Sequence, residues 1–135
     1  MVDWVLIDSY ATGTAPSIGA SYGKAYSFMS STSDATHNYL SKPWGPGEFG
    51  VHNATQAQQY AYWDSFKTAV DKATYPQVKA FINFDSPGYE PFSGIRVAYA
   101  DNGTYDPVEQ QHYNAFARDP KLANAGGSGD VTPRQ

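Results

Sequence analysis

The chain has 135 residues and a formal net charge of −4, enough for one domain with its own core and without the basic face that nucleic-acid binders carry. It has no cysteine, which excludes disulfides, thiolate metal sites and cysteine nucleophiles. No apolar run reaches the length that spans a bilayer, and the opening "MVDWVLIDSY" lacks the basic and small-residue regions of a signal peptide.

Those first residues instead read as a buried strand, Trp4 to Ile7, so that Met1 looks like a cut inside a longer chain. The Gly/Ser/Thr/Pro-rich stretch from Ala11 to Gly23 reads as a long loop, followed by weak helices around Lys24–Met29 and Ala35–Leu40. A short strand within "KPWGPGEFG" ends at Glu48 and Phe49. From Thr55, a suitable N-cap, Tyr62, Phe66, Ala69, Val70 and Ala73 recur at helical spacing. The stretch Val78–Phe84 reads as a third strand closed by Ser-Pro-Gly, and "GIRVAYADNG" as an extended piece turning at Asn102-Gly103. Asp106 caps the last helix, with Pro107 in its first turn and Glu109 at its third position. That helix is expected to run through Phe116 and break near Asp119-Pro120. Residues 126–135 have the composition of a flexible tail, leaving 1–125 as the folded part.

Strand, helix, strand, helix, strand, helix is the order of a parallel α/β fold with right-handed crossovers. Each strand reads as ending in an acid: Asp8, Glu48 and Asp85. They are spaced a little wider than the about 31 residues of one barrel unit. Parallel strands would bring the three acids to one edge, where α/β folds bind ligands. Acids at strand ends can also be plain polar terminators. Paired carboxylates, however, are the equipment of glycoside hydrolysis, one protonating the leaving group and one attacking or activating water. Eleven Tyr, seven Phe and three Trp add flat apolar faces suited to a wet binding groove.

"DWVLIDSY", "KPWGPGEFGV", "VKAFINFD" and "DNGTYDPVEQQHYNAFARDPKL" together resemble the C-terminal part of family 26 glycoside hydrolases, the β-mannanases and related β-glucanases of the retaining (β/α)8 clan. The resemblance covers roughly residues 3–123, and Pro43 to Gly50, Pro-x-x-x-x-Glu-Phe-Gly, is its most specific element. It implies an α/β fold formed by the last three βα units of a TIM barrel, strands six to eight. It implies Glu48 as nucleophile and Tyr10 as the tyrosine that contacts and orients it, with Asp8 beside them. Phe84 falls where relatives place an aromatic under the sugar, often Trp. The family's acid/base glutamate belongs to strand four, which this sequence does not contain. Of the other glutamates, Glu90 lies in a Pro-rich loop and Glu109 at a helix start, and neither fits that role.

Trp44 and His52, flanking Glu48, and Asp85 complete the candidate substrate-binding set with Asp8 and Phe84. Each has a plain alternative: Trp44 as core and His52 as a loop or helix-start histidine. His37, His112 and Trp63 read as structural, and Tyr22, Tyr26 and Tyr89 as candidates for stacking on sugar near the active edge. No His spacing suggests a metal, and no cofactor is implied. The expected partner is an extracellular β-linked polysaccharide or oligosaccharide, with no nucleic acid and no membrane. The alternative is a non-catalytic fragment, a sugar-binding or assembly piece that needs a partner to complete the barrel. Uncovered apolar positions, expected at Val5, Ile7, Phe81 and Phe84, would then drive self-association or pairing with a complementing chain.

Overall fold

The computed structural model describes residues 4–13, 15–83 and 104–122. Phe84, Asp85, Tyr89, Glu90, the Asn102-Gly103 turn and the 126–135 tail lie outside the described residues. The described part is a small α/β domain with a two-stranded parallel sheet and three helices.

Strand β1 spans Val5–Thr12, twice the predicted length. Helix α1, Ile18–Thr32, contains the predicted helix at Lys24–Met29 and begins earlier, within the predicted loop: Ser17 caps it by accepting the Ala20 amide, and Ile18, Tyr22 and Met29 form its buried stripe. The predicted helix at Ala35–Leu40 does not form. The Asp34 side chain takes the Thr36 and His37 amides at 2.7 and 2.6 Å, which offers the backbone a turn in place of a helix. A single 3-10 turn, Tyr39–Ser41, leads into strand β2, Trp44–His52. Helix α2, Gln56–Asp71, opens with a complete capping box between Thr55 and Gln58. Helix α3, Pro107–Ala117, is capped by Asp106 as expected. Glu109, however, does not turn back to the cap. It is buried and accepts the Trp63 indole N–H at 2.8 Å, tying α3 to α2.

Strands β1 and β2 run parallel, and a segment at residues 77–82 runs parallel along the other edge of β2. Trp44 N–H donates to the Gln77 carbonyl (3.3 Å), Lys79 N–H to the Trp44 carbonyl (2.9 Å) and Ile82 N–H to the Pro46 carbonyl (3.0 Å). Trp44 and Val78 form a parallel bridge, so the third extended stretch sits where the sequence puts its third strand.

All three helices pack on one face of this sheet. On that side Val5, Ile7 and Ala11 of β1 and Trp44, Phe49 and Val51 of β2 meet Tyr22, Tyr62, Trp63, Phe66 and Phe116. Phe49 stacks on Phe66 at 5.0 Å and meets Trp63, Phe81 and Phe116 edge-on. Edge and offset contacts of this kind add to area burial. Among the described residues, the aromatic side chains thus build the core in large part. Val5, Ile7 and Phe81, expected to be uncovered, pack against this core. The large apolar side chains left about half exposed at the sheet are Trp4, Leu6 and Ile82.

Candidate functional site

Strict alternation along β2 would put Trp44, Pro46 and Glu48 on one face. The pairing register shows otherwise. Ile7 pairs with Pro46 and Asp8 with Glu48, so Gly47 is an extra residue, a β-bulge. Before it, Trp44 and Pro46 are buried on the helix side; after it, Phe49 and Val51 are buried there, and Glu48 is turned outward. One inserted glycine decides that the carboxylate faces the open side of the sheet and is not buried under α1 and α2.

By the same register Leu6, Asp8, Tyr10 and Thr12 of β1 share this open face with Gly45, Glu48, Gly50 and His52 of β2. Tyr10 is two residues past Asp8, and its hydroxyl donates to Glu48 Oε2 at 2.8 Å. Partial burial, then the hydrogen bond and charge of Glu48, then the charge of Asp8, push the Tyr10 hydroxyl well above the ordinary tyrosine range. Tyr10 therefore stays a proton donor at neutral pH, and it holds one oxygen of the carboxylate in a fixed direction. Asp8 lies over the bulge: a Cβ added to Gly47 would stand 2.7 Å from Asp8 Oδ1. Absence of a side chain at position 47 is what makes room for the second carboxylate.

Neither acid is at a strand tip. Asp8 lies inside β1 and Glu48 inside β2, level with each other across the pair. The strand-then-acid pattern is corrected in that respect, while the shared level of the two acids is present. Asp85 and Phe84 lie outside the described residues. His52 closes β2 on the open face, four residues beyond Glu48, and its Nδ1 is 3.0 Å from Asn53 Nδ2. Asn53 adopts a left-handed backbone (φ 51°), a conformation asparagine tolerates better than most residues.

Trp44 is not part of this group. It is fully buried on the helix side, among Tyr26 and Tyr75, so the substrate-binding role read from the sequence is replaced by packing. Tyr22 is likewise buried and unavailable for stacking on sugar, and Tyr26 packs on Trp44 and Tyr75. Tyr22 has a connection that the sequence did not announce. Its hydroxyl lies 2.9 Å from the Glu48 carbonyl and 3.2 Å from the Ser9 carbonyl. The four-residue step from Ile18 to Tyr22 on an amphipathic stripe was the available signal that Tyr22 points to the sheet.

The other histidines lie apart from this group. His112 stacks on Tyr60 (4.8 Å) and pairs with Asp64 (2.6 Å), and His37 is exposed beside Asp34. Among the described residues no group of His, Cys, Asp or Glu could hold a metal, and no helix is long and apolar enough to cross a membrane. Comparison with protein-family models, with curated proteins and with solved structures finds no match to this chain.

Proposed function

We propose that this chain is the C-terminal three βα units of a (β/α)8 glycoside hydrolase domain of the retaining type, acting outside the cell on a β-linked polysaccharide such as mannan or glucan. One observation carries the reading: a carboxylate turned onto the open face of a parallel sheet and held there by a protonated tyrosine, Glu48 and Tyr10 at 2.8 Å. Strand order supports the barrel part. The order β1, β2, then 77–82 proceeds in one direction, with α1 and α2 on one face. Right-handed crossovers that never reverse direction wind singly and cannot cover the second face with their own helices. Parallel sheets are covered on both faces. Closure into a barrel resolves this by turning the open face inward, with Trp4, Leu6 and Ile82 as interior layers.

In this reading Glu48 attacks the anomeric carbon. The glycosidic C–O bond breaks, the leaving oxygen takes a proton from the acid/base residue, and a glycosyl ester forms on Glu48. Water, deprotonated by the same acid/base residue, then attacks the anomeric carbon and releases the carboxylate. Tyr10 keeps Glu48 oriented throughout. Glu109, buried against Trp63, is not the acid; that group comes from the strands that complete the barrel. Half-exposed Trp4, Leu6 and Ile82 favour the companion reading, that the 135-residue chain by itself is an assembly piece which acts once those strands are supplied.

The test separates nucleophile from acid. A 2-deoxy-2-fluoro-β-mannosyl fluoride, or its gluco counterpart, carries a leaving group that departs without protonation. Incubated with the full chain, it should esterify Glu48 slowly and stoichiometrically, read by mass spectrometry of the peptide, with no label on Glu48→Gln. Labelling at another residue, or none at Glu48 with either sugar, overturns the assignment.

A further inference from the structure

Glu48 is oriented from two sides. On the open face Tyr10 holds its carboxylate; on the helix face Tyr22 of α1 holds its backbone. Tyr22 is fully buried, and its hydroxyl reaches the carbonyls of Glu48 at 2.9 Å and Ser9 at 3.2 Å, one on each strand. These carbonyls sit immediately past the Gly47 bulge, where the extra residue interrupts the regular ladder. The ring is fixed independently, edge-on to Phe66 at 6.5 Å. Burial keeps the hydroxyl protonated, so it acts there as a donor. Ser9, the residue between Asp8 and Tyr10, is held a second time: its hydroxyl donates to the Ser21 carbonyl at 3.0 Å, one residue before Tyr22.

We infer that Tyr22 is a positioning residue for the Glu48–Tyr10 pair: its buried hydroxyl bridges the two strands at the bulge and fixes the angle at which β1 presents Tyr10 to the carboxylate of β2. This rests on the proposed hydrolase reading for its purpose, though not for its geometry. A bulge adds twist and local freedom to the strand that carries it, and a hydrogen bond of about 2.8 Å between two side chains on different strands tolerates little relative rotation. A donor shared by both strands at that level removes the freedom without occupying the open face.

Tyr22→Phe deletes the hydroxyl and keeps the ring. It is compared with Met29→Val, which loosens the packing of the same helix and touches neither strand carbonyl. The readout is the 13Cζ signal of Tyr10, assigned by its loss in Tyr10→Phe and followed through the alkaline range. In the unaltered chain and in Met29→Val, Tyr10 should remain protonated beyond the ordinary tyrosine value of about 10. In Tyr22→Phe its ionisation should move down towards that value, while the thermal midpoint falls by only a few degrees. An unchanged Tyr10 signal in Tyr22→Phe overturns the inference, as does an equal change in Met29→Val. The second arm is the rate of Glu48 labelling by the fluoro-sugar, expected to fall about tenfold in Tyr22→Phe. If the Tyr10 signal moves and Glu48 never labels in either chain, the positioning stands and the hydrolase reading fails.

Discussion

Gly45 offers the sharpest test of how the sheet is assembled. Between Lys79 and Ile82 the third segment advances three residues while β2 advances two, from Trp44 to Pro46, along the same pair of hydrogen bonds. The surplus residue lifts the Ala80 carbonyl over Gly45. A Cβ at position 45 would overlap that carbonyl oxygen and stand 3.0 Å from the carbonyl carbon. Backbone cannot swing aside as a side chain can, so Gly45→Ala must push the segment off the edge of β2. Three backbone hydrogen bonds span the contact, each with a net value of about 1 kcal/mol. Phe81, packed against Phe49, Phe66 and Phe116, would lose part of its burial, a further 1–3 kcal/mol or so. The sum, about 4–6 kcal/mol, is comparable with the whole stability of a small domain.

Native-state hydrogen exchange at the Lys79 and Ile82 amides reads this directly. Protection at both should fall by about a hundredfold or more in Gly45→Ala, since each 1.4 kcal/mol is a factor of ten. Gly13→Ala is the control. Its backbone is left-handed (φ 69°) with nothing within 4 Å of an added Cβ, so it carries conformational strain of about 1–2 kcal/mol without a clash. It should leave Lys79 and Ile82 protected. Wild-type protection at those amides in Gly45→Ala would mean that the segment does not lie against β2 as described, and the three-stranded parallel arrangement would fall with it.

Asp106→Ala should cost about 2–3 kcal/mol in denaturant unfolding, about 1 for the N-cap and about 1 for each stranded partner, because Asp106 also accepts from Tyr60 (2.6 Å) and Gln56 (3.0 Å). Burial opposes its charge, but these bonds and the Val108 and Glu109 amides together hold its carboxyl below the usual range. The folded-state value being depressed, the stabilisation is present above the unfolded value of about 3.9 and is lost as pH falls through the folded one; Asp106→Asn should flatten that acid limb, and an unchanged limb would refute the assignment. The purified chain should show little or no hydrolysis of mannan or β-glucan, because a general acid contributes about a hundred- to ten-thousandfold; robust turnover by a monomer, abolished in Glu48→Gln, would demand another proton donor. The chain should also self-associate through the open face, with Leu6→Lys shifting sedimentation towards the monomer; a compact, cooperatively melting wild-type monomer would count against that face as a contact.

What could be read from the sequence follows what local chemistry encodes. Thr55 with Gln58, and Asp106 with Pro107, are short-range capping signals, and the helices begin where they stand. The helix read at Lys24–Met29 lies within α1, but the first turns of α1 were hidden because eleven of the thirteen residues from Ala11 to Gly23 are small, polar or Pro, which resembles loop composition. Only the Ser17 cap and the Ile18–Tyr22–Met29 stripe betray those turns. Conversely, Ala35–Leu40 has helix-compatible residues, yet Asp34 captures two amides and turns the chain first.

The face of Glu48 was beyond any periodicity argument. A period of two assigns it to the buried side with Trp44 and Pro46, and the resemblance assigned it to a site without saying how it gets there. The answer is an unpaired glycine whose effect exists only in the pairing with β1, where Asp8 occupies the space a side chain would take. The strand read within this stretch ends at Glu48 and Phe49, three residues short of the observed end at His52. Once the bulge is in place, Trp44 must be core and Glu48 must be open, because consecutive residues of a strand cannot slip independently. The two corrections at this site therefore have one cause. A Gly47→Ala substitution would displace Asp8, whereas deletion of Gly47 would remove the bulge and keep Pro46 in, Glu48 out and Phe49 in by simple alternation. Only a pairing that kept Gly47 within a regular ladder would turn Glu48 into the aromatic core, where an ionised carboxylate has no place.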